Sequence, residues 1–213
     1  TAYEIPKRDW SSDVCSSDLA PGLGITQGDA IDGIARERMS TVYMPGDKIT
    51  MLPDALVEQF TLAAGDARPS LSLYVTLDSQ NWSVVTTETK IERVPIAANL
   101  RHNDLDALVT EQALAEGLGD YPYKVEITLL WQWALQLESS RMAKREAFGL
   151  KPEQVNRVDF NFYVDDDIVT ITRRKRGAPL DKIVAELMIF ANSTRSEEYT
   201  SELQSRFGIS YAV

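Results

Sequence analysis

Two kinds of hydrophobic periodicity run along the chain and predict strand pairs and helices. Apolar residues occupy every second position in residues 158–164 and again in residues 168–172, with three aspartates between the two runs. This is the period of a strand with one buried face, so a hairpin is predicted with Asp165-Asp166-Asp167 as its turn. A second hairpin is predicted from the alternating residues 70–77 and their partner strand, residues 83–95.

Other segments repeat apolar residues at intervals of three and four, which is typical of helices. They cover residues 29–38, 54–64, 123–148 and the segment that begins at Pro179. A shorter helix is expected after the N-cap Asn103, with Leu105, Leu108 and Val109 facing inward. Pro179 suits the first position of its helix because it needs no backbone donor there.

Residues 40–53 carry two prolines and a glycine within nine positions, which predicts a rigid, irregular connector. Neither the helices nor the strands follow a strand–helix–strand order. The fold class predicted from these elements is therefore α+β, with antiparallel hairpins and surrounding helices.

The composition of the chain limits the classes of protein to which it can belong. The 213 residues are enough for one domain with a sizeable core, and no apolar run is long enough for a membrane helix. The single cysteine fits a reducing, cytoplasmic location, and the single histidine argues against a histidine-rich zinc site. The net charge of −10 is unusual for a non-specific nucleic-acid binder, although a basic channel can lie within an acidic shell.

Two segments do not suit a folded core. Arg8–Leu19 reads RDWSSDVCSSDL and Arg195–Arg206 reads RSEEYTSELQSR, and their composition alone would make them linkers or tails. Both also closely resemble peptides that arise when sequencing-adaptor DNA is translated. We therefore expect residues 1–19 and 195–213 to be non-native and residues 20–194 to form the domain. The acidic balance remains when both segments are left out.

Three segments together carry a resemblance to a known family. They are STVYMPGDKITMLPD (Ser40–Asp54), RVPIAANLRHNDLD (Arg93–Asp106) and APLDKIVAELMIFANST (Ala178–Thr194). In this order they resemble the RNB catalytic domain of the ribonuclease II / ribonuclease R family, over residues 20–194. The resemblance implies a partial RNB-type domain from a magnesium-dependent 3′→5′ exoribonuclease. Such an enzyme hydrolyses single-stranded RNA to nucleoside 5′-monophosphates, and we expect a monomer with single-stranded RNA, not a membrane, as its partner.

The chain departs from the family at the segments that bind the metal and stabilise the reacting phosphate. The family's magnesium site uses four aspartates in a pattern like IDDxxTxxIDDA, just before the segment that Ala20–Ile25 represents. Here Arg8–Leu19 occupies that stretch, and its Asp9, Asp13 and Asp18 do not reproduce the spacing. The family's SPIRRY-like segment with its arginine is also missing. We therefore expect no catalytic and no metal-binding residue in this chain and no hydrolysis by it. The alternative is a catalytically inactive RNA-binding or interaction module.

Two RNA-binding candidates come from the resemblance. Tyr43 matches the family tyrosine that packs on the terminal nucleotides, and Glu186 matches the glutamate that contacts the 3′-terminal nucleoside. The residues themselves leave other interpretations open. Tyr43 could be a packed core aromatic, and Glu186 could face solvent or form an ion pair with Lys182.

A basic run supplies four further candidates, Arg173, Arg174, Lys175 and Arg176. The run lies between the predicted hairpin and the predicted helix start, where cations and free backbone N–H groups can hold phosphate. It could equally be a solvated loop or a charged guard on an edge strand. Asp165-Asp166-Asp167 is interpreted as a turn and not as a metal site, because consecutive carboxylates on a strand point in different directions.

Overall fold

The structure is a computed structural model that describes residues 2–4, 13–44, 47–150, 158–165, 168–175 and 177–199. The chain divides into two compact units. Unit 1 comprises Thr1–Arg101 and Val155–Arg176, and unit 2 comprises His102–Gln154 and Gly177–Val213. Among the described residues, no helix has both the length and the apolar character required to span a membrane.

Strands and helices alternate in blocks along the chain, without a repeated order. The strands are β1 (Ala2–Glu4), β2 (Asp13–Leu19), β3 (Val42–Met44), β4 (Asp47–Ile49), β5 (Ala67–Leu77), β6 (Val84–Pro95), β7 (Val158–Asp165) and β8 (Ile168–Lys175). The helices are α1 (Ala30–Arg38), α2 (Asp54–Phe60), α3 (His102–Leu105), α4 (Glu111–Glu116), α5 (Lys124–Ala147) and α6 (Pro179–Tyr199). A 3₁₀ turn covers Pro21–Leu23.

The main sheet of unit 1 has the order β1-β2-β5-β6, and each neighbouring pair is antiparallel. The predicted hairpin of β5 and β6 is confirmed, with Leu73 opposite Thr89. β5 is buried on both faces, since Leu73 and Val75 are 0% and 2% exposed while Ser70 and Ser72 are fully buried. In the sheet, β5 lies between β2 and β6.

Residues 13–19, for which composition predicted a linker or tail, lie in this sheet as β2. Their register runs from Asp13 opposite Thr76 to Leu19 opposite Ser70. At the other end of the chain, helix α6 continues past Thr194 to Tyr199. The non-native origin of the two terminal segments stays a prediction.

Helix α1 shows how local sequence sets an element. The side chain of its N-cap Asp29 accepts a hydrogen bond from the Asp32 backbone N–H, at 2.7 Å. This bond lowers the pKa of Asp29 below its ordinary value, and a hydrogen bond from the Thr26 backbone N–H lowers it further. The helix ends at Arg38, and its C-cap residue Met39 has a left-handed φ of 59°.

The irregular connector predicted for residues 40–53 is wrong in part. β3 and β4 pair there as a small antiparallel sheet, with Tyr43 opposite Lys48. The proline and glycine at positions 45 and 46 lie between the two strands in sequence, and Pro53 is the N-cap of α2. Neither proline of this segment therefore occupies a position of β3 or β4.

The predicted hairpin of β7 and β8 is confirmed, with Phe162 opposite Ile171. The prediction that one face of this hairpin is buried is wrong, because Phe160, Phe162 and Val164 are 56%, 51% and 42% exposed. Alternation predicts which side chains share a face of a sheet, and it does not tell whether another element covers that face. The turn assigned to Asp165-Asp166-Asp167 falls partly outside the described residues.

The described elements of unit 2 are helices, and α5 packs against α6. The prediction of a long helix over residues 123–148 is confirmed by α5, which Gly149 follows with a φ of 68°. Its buried side chains and those of α6 form the core: Ile127, Leu130, Trp131, Trp133, Ala134, Ile183, Leu187 and Ala191. The rings of Trp133 and Phe190 meet edge to face, with centroids 5.1 Å apart.

Two details of the helix predictions in unit 2 are wrong. Asn103 lies inside α3 and is not its N-cap, since the helix begins at His102. Leu108 is 46% exposed, whereas Leu105 and Val109 are buried as predicted. α3 ends at Leu105, so the helical period that placed Leu108 inward does not extend to it.

Candidate nucleic-acid interface

Tyr43 lies on β3 in unit 1 and is 79% exposed. The interpretation as a packed core aromatic is therefore wrong. An exposed phenol ring can stack on a nucleotide base without regard to the base's identity, because every base has a π-face. The predicted contact between Tyr43 and RNA stays a prediction that this exposure permits.

Hydrogen bonds at the base of the β3–β4 hairpin hold it to the neighbouring chain. The Met51 backbone N–H donates to Thr41 Oγ1 at 3.1 Å, and Arg38 Nη1 at the end of α1 donates to the Thr50 carbonyl oxygen at 2.8 Å. Thr50 is buried, and its hydroxyl lies 2.7 Å from the Leu52 carbonyl oxygen. The hairpin is thus fixed at its root while Tyr43 projects from it.

Glu186 lies on α6 in unit 2, is only 4% exposed and is bound by Arg141 of α5. Arg141 Nη2 donates to Glu186 Oε1 at 2.5 Å, and Arg141 Nε donates to Glu186 Oε2 at 3.3 Å. This is the two-pronged geometry in which arginine binds carboxylates most strongly. The interpretation as a solvent-facing carboxylate is wrong, and the ion-pair partner is Arg141, not Lys182.

Lys182 forms a second ion pair between the same two helices. Its Nζ lies 2.9 Å from Glu138 Oε2 of α5 and 5.5 Å from the centroid of the Trp131 ring. Both members of this pair are about one-fifth exposed, at 20% and 22% of their side chains. The two pairs, about one turn apart on each helix, link α5 to α6.

The basic run is only partly described. Arg173, Arg174 and Lys175 belong to β8, so their predicted place between hairpin and helix is wrong; Arg176 lies outside the described residues. The reason is the register, in which Lys175 pairs with Val158 and the strand continues to the very start of β7. Arg173 is exposed and lies opposite Phe160. Phosphate binding by this run stays a prediction.

The described residues do not offer a metal site. No group of three or more histidine, cysteine, aspartate or glutamate side chains lies close enough together, within that part of the chain, to hold an ion. A magnesium ion prefers several oxygen ligands in near-octahedral order. The side chains described in this structure therefore do not fit magnesium, and they assign no hydrolytic step to a metal.

Sequence reasoning missed Arg141, which is the partner of a predicted site residue. A weak signal for it exists in the sequence. Glu138 and Arg141 are three residues apart on one helix, and Lys182 and Glu186 are four apart on the next, with the signs in complementary order. Such spacing puts each pair on one helix face, but it does not show which faces meet.

Comparison with known proteins gives a consistent result. A family model described as the RNB domain matches residues 21–207. Exoribonuclease 2 of Vibrio cholerae is 26% identical over 221 residues, which cover 97% of this chain and 29% of that protein. Exoribonuclease 2 of Sodalis glossinidius is 30% identical over 200 residues, which cover 88% of this chain and 28% of that protein. The chain spans less than a third of the length of these curated relatives.

Solved structures agree on the fold. Mycoplasma genitalium RNase R in complex with ribose methylated single-stranded RNA is similar with a TM-score of 0.69 at 13% identity, over 87% of this chain and 28% of that one. Yeast Ssd1, a pseudonuclease, is similar with a TM-score of 0.60 at 22% identity, over 87% of this chain and 21% of that one. The predicted α+β fold of RNB type is confirmed.

Proposed function

Because the chain belongs to the RNB domain family, we propose that it is part of a 3′→5′ exoribonuclease that binds and hydrolyses single-stranded RNA. The family match over residues 21–207 is the observation that carries the proposal. Curated relatives bear the name Exoribonuclease 2, and a solved RNase R of similar fold holds single-stranded RNA. In this proposal the whole protein works in the cytoplasm as a monomer.

The proposed reaction releases nucleoside 5′-monophosphates one at a time. Water attacks the last phosphodiester, a bond forms between its oxygen and phosphorus, and the bond from phosphorus to the 3′ oxygen of the preceding ribose breaks. That 3′ oxygen takes up a proton, and the phosphate leaves on the 5′ side of the terminal nucleoside. RNB-family exoribonucleases use a divalent metal, and magnesium is proposed for the whole protein. The described side chains do not fit that ion, so the contribution proposed for this chain is RNA binding.

The two candidates taken from the resemblance differ in how accessible their side chains are to RNA. Tyr43 presents its ring to solvent and needs no rearrangement to stack on a base. Both oxygens of Glu186 already accept hydrogen bonds from Arg141, and the side chain is almost fully buried. A nucleoside hydroxyl could reach Glu186 only by sharing or displacing those bonds. We therefore rank Tyr43 first as the base contact.

A second candidate function is an RNA-binding module that does not hydrolyse its ligand. The observation that favours it is the similarity to yeast Ssd1, which is described as a pseudonuclease. An authentic upstream segment without the family's four aspartates would also favour it. Both candidates predict RNA binding, and they differ only in turnover.

The deciding experiment incubates the whole protein, of which this chain is a part, with 5′-labelled single-stranded RNA in magnesium, with a chelator as control. A ladder of labelled products that shortens step by step supports the exoribonuclease, since the label stays on the shrinking 5′ part. Salt-sensitive binding without shortening supports the inactive module. Absence of salt-sensitive binding would reject both and leave a passive structural fragment.

A further inference from the structure

The small sheet of β3 and β4 carries a cation beside its exposed aromatic residue. Tyr43 and Lys48 are directly opposite each other in the register, and both are exposed. We propose that Lys48 binds an RNA phosphate while Tyr43 stacks on the base, so that the hairpin holds the RNA strand at two points. This rests on the proposed RNA binding and adds a contact residue, Lys48, that the resemblance does not supply.

The register places the two side chains on one face. Directly opposed residues of an antiparallel pair share a face, with Cβ atoms about 4.5–5.5 Å apart. The neighbouring pairs, Val42 with Ile49 and Met44 with Asp47, point to the other face. Tyr43 and Lys48 therefore form a separate aromatic-and-cation surface on a two-stranded sheet.

Both groups are available to a ligand. Among the described residues, Lys48 forms no ion pair, and its ammonium does not lie over an aromatic ring. Other lysines do lie over rings: Lys90 Nζ is 4.8 Å from the centroid of Tyr74 and Lys124 Nζ is 5.9 Å from that of Tyr121. The ring of Tyr43 is thus open to a base and the ammonium of Lys48 is open to an anion.

Asp47 is the nearest carboxylate in sequence and could oppose a phosphate. Its Oδ1 accepts a hydrogen bond from the Lys48 backbone N–H at 2.7 Å, which turns the carboxylate back onto its own chain. The register also puts Asp47 with Met44 on the opposite face. Lys48 therefore keeps its positive charge on the face of Tyr43, in a chain whose net charge is −10.

This pairing matches what a single-stranded nucleic acid requires. Base stacking on aromatic rings and phosphate neutralisation by cations are the two sequence-tolerant contacts with such strands. The anchored root of the hairpin holds the two groups at a fixed separation before RNA arrives. A rigid pair loses less side-chain freedom on binding than two groups on a mobile loop.

The test measures the affinity of the chain for a labelled single-stranded RNA over a range of salt concentrations. For single strands, each phosphate contact contributes about 0.7 to the slope of log affinity against log salt. Lys48→Ala is expected to lower the slope by about 0.7 and to weaken binding about fivefold at 0.1 M salt. Lys48→Arg keeps the charge and is expected to keep the slope. Tyr43→Ala is expected to weaken binding without changing the slope, because stacking releases no counterion.

The matched control is Lys90→Ala, which removes an exposed lysine of the same unit that is already paired with Glu88 at 2.9 Å. It should leave the slope unchanged. Urea unfolding of each variant checks that the fold is intact, which is expected because Tyr43 and Lys48 are exposed. An unchanged slope in Lys48→Ala, while Tyr43→Ala weakens binding, would overturn the proposal for Lys48 and leave RNA binding standing. Absence of binding by the unsubstituted chain would instead overturn the proposed function and this inference with it.

Discussion

The ion pair of Arg141 with Glu186 gives the sharpest prediction about the stability of unit 2. Glu186→Gln keeps the shape of the side chain and removes its charge, so the guanidinium of Arg141 loses its counter-ion. Removing one partner of a buried pair costs about 3–5 kcal/mol in general. Here the Arg141 side chain is 22% exposed, it takes part in other interactions, and a glutamine oxygen can still accept one hydrogen bond. We therefore expect a loss of about 2–3 kcal/mol in the free energy of unfolding.

A matched change separates burial from mere ion pairing. Glu138→Gln breaks the neighbouring pair with Lys182 on the same two helices, where the side chains are 20% and 22% exposed. Solvent screens this pair more strongly, so the expected loss is about 1 kcal/mol or less. The double variant Arg141→Met/Glu186→Leu removes both charges and should recover about half or more of the loss caused by Glu186→Gln, because no charge is left buried alone.

Thermal and urea unfolding can be followed by tryptophan fluorescence, to which Trp131 and Trp133 of α5 contribute. For a chain of this length, about 1 kcal/mol shifts the melting temperature by about 2–4 °C, so Glu186→Gln should lower it by about 4–12 °C. A loss no larger than that of Glu138→Gln would refute the view that burial makes the Glu186 pair the stronger one. Unchanged stability with weakened RNA binding would assign Glu186 to the ligand instead.

Four further predictions follow from other parts of the chain. The hydrogen bond from Asp32, and then that from Thr26, lowers the pKa of Asp29. The capping contribution of Asp29 to stability should therefore be present above the ordinary pKa of aspartate and be lost as the pH falls through the lowered value. An NMR titration that gave the carboxyl a pKa above the ordinary value, or unfolding at acid pH that showed stability rising as the pH falls, would contradict this. Gly24→Ala would place a Cβ 2.9 Å from a buried phenylalanine ring and should cost about 1–3 kcal/mol, whereas Gly22→Ala meets nothing within 4 Å and should be near neutral in urea unfolding. Because the apolar face of β7 is exposed, we expect it to promote aggregation, and Phe162→Thr should reduce the aggregation seen by light scattering. Equal aggregation by both proteins would refute that role for the face. When the source gene is sequenced across both ends of the segment 20–194, we expect the reads to encode an aspartate cluster upstream and an arginine motif downstream in place of the two serine-rich stretches. Reads that still encode those stretches would contradict their proposed adaptor origin.

The sequence predicted elements well where the cause is local. The helical period of α5 and the glycine that follows it can be read from neighbouring residues in the sequence. The predicted and observed bounds of α5 therefore agree within one residue at each end. The hairpin of β7 and β8 was predicted for the same reason. The exposure of Phe160 and Phe162 was not predictable, since it depends on which other surface, if any, comes to lie against the sheet.

The candidate site shows the same division between local and distant causes. Resemblance assigned Tyr43 and Glu186 equally to RNA, yet one is 79% exposed and the other 4%. The difference comes from Arg141, which lies 45 residues before Glu186 in sequence and meets it only because α5 packs on α6. RNA can reach Tyr43 in the structure as it stands, whereas access to Glu186 requires the ion pair to open. Binding through Tyr43 should therefore leave the stability of α5 against α6 unchanged, and any RNA-dependent weakening of that pair would show that the ligand has reached Glu186.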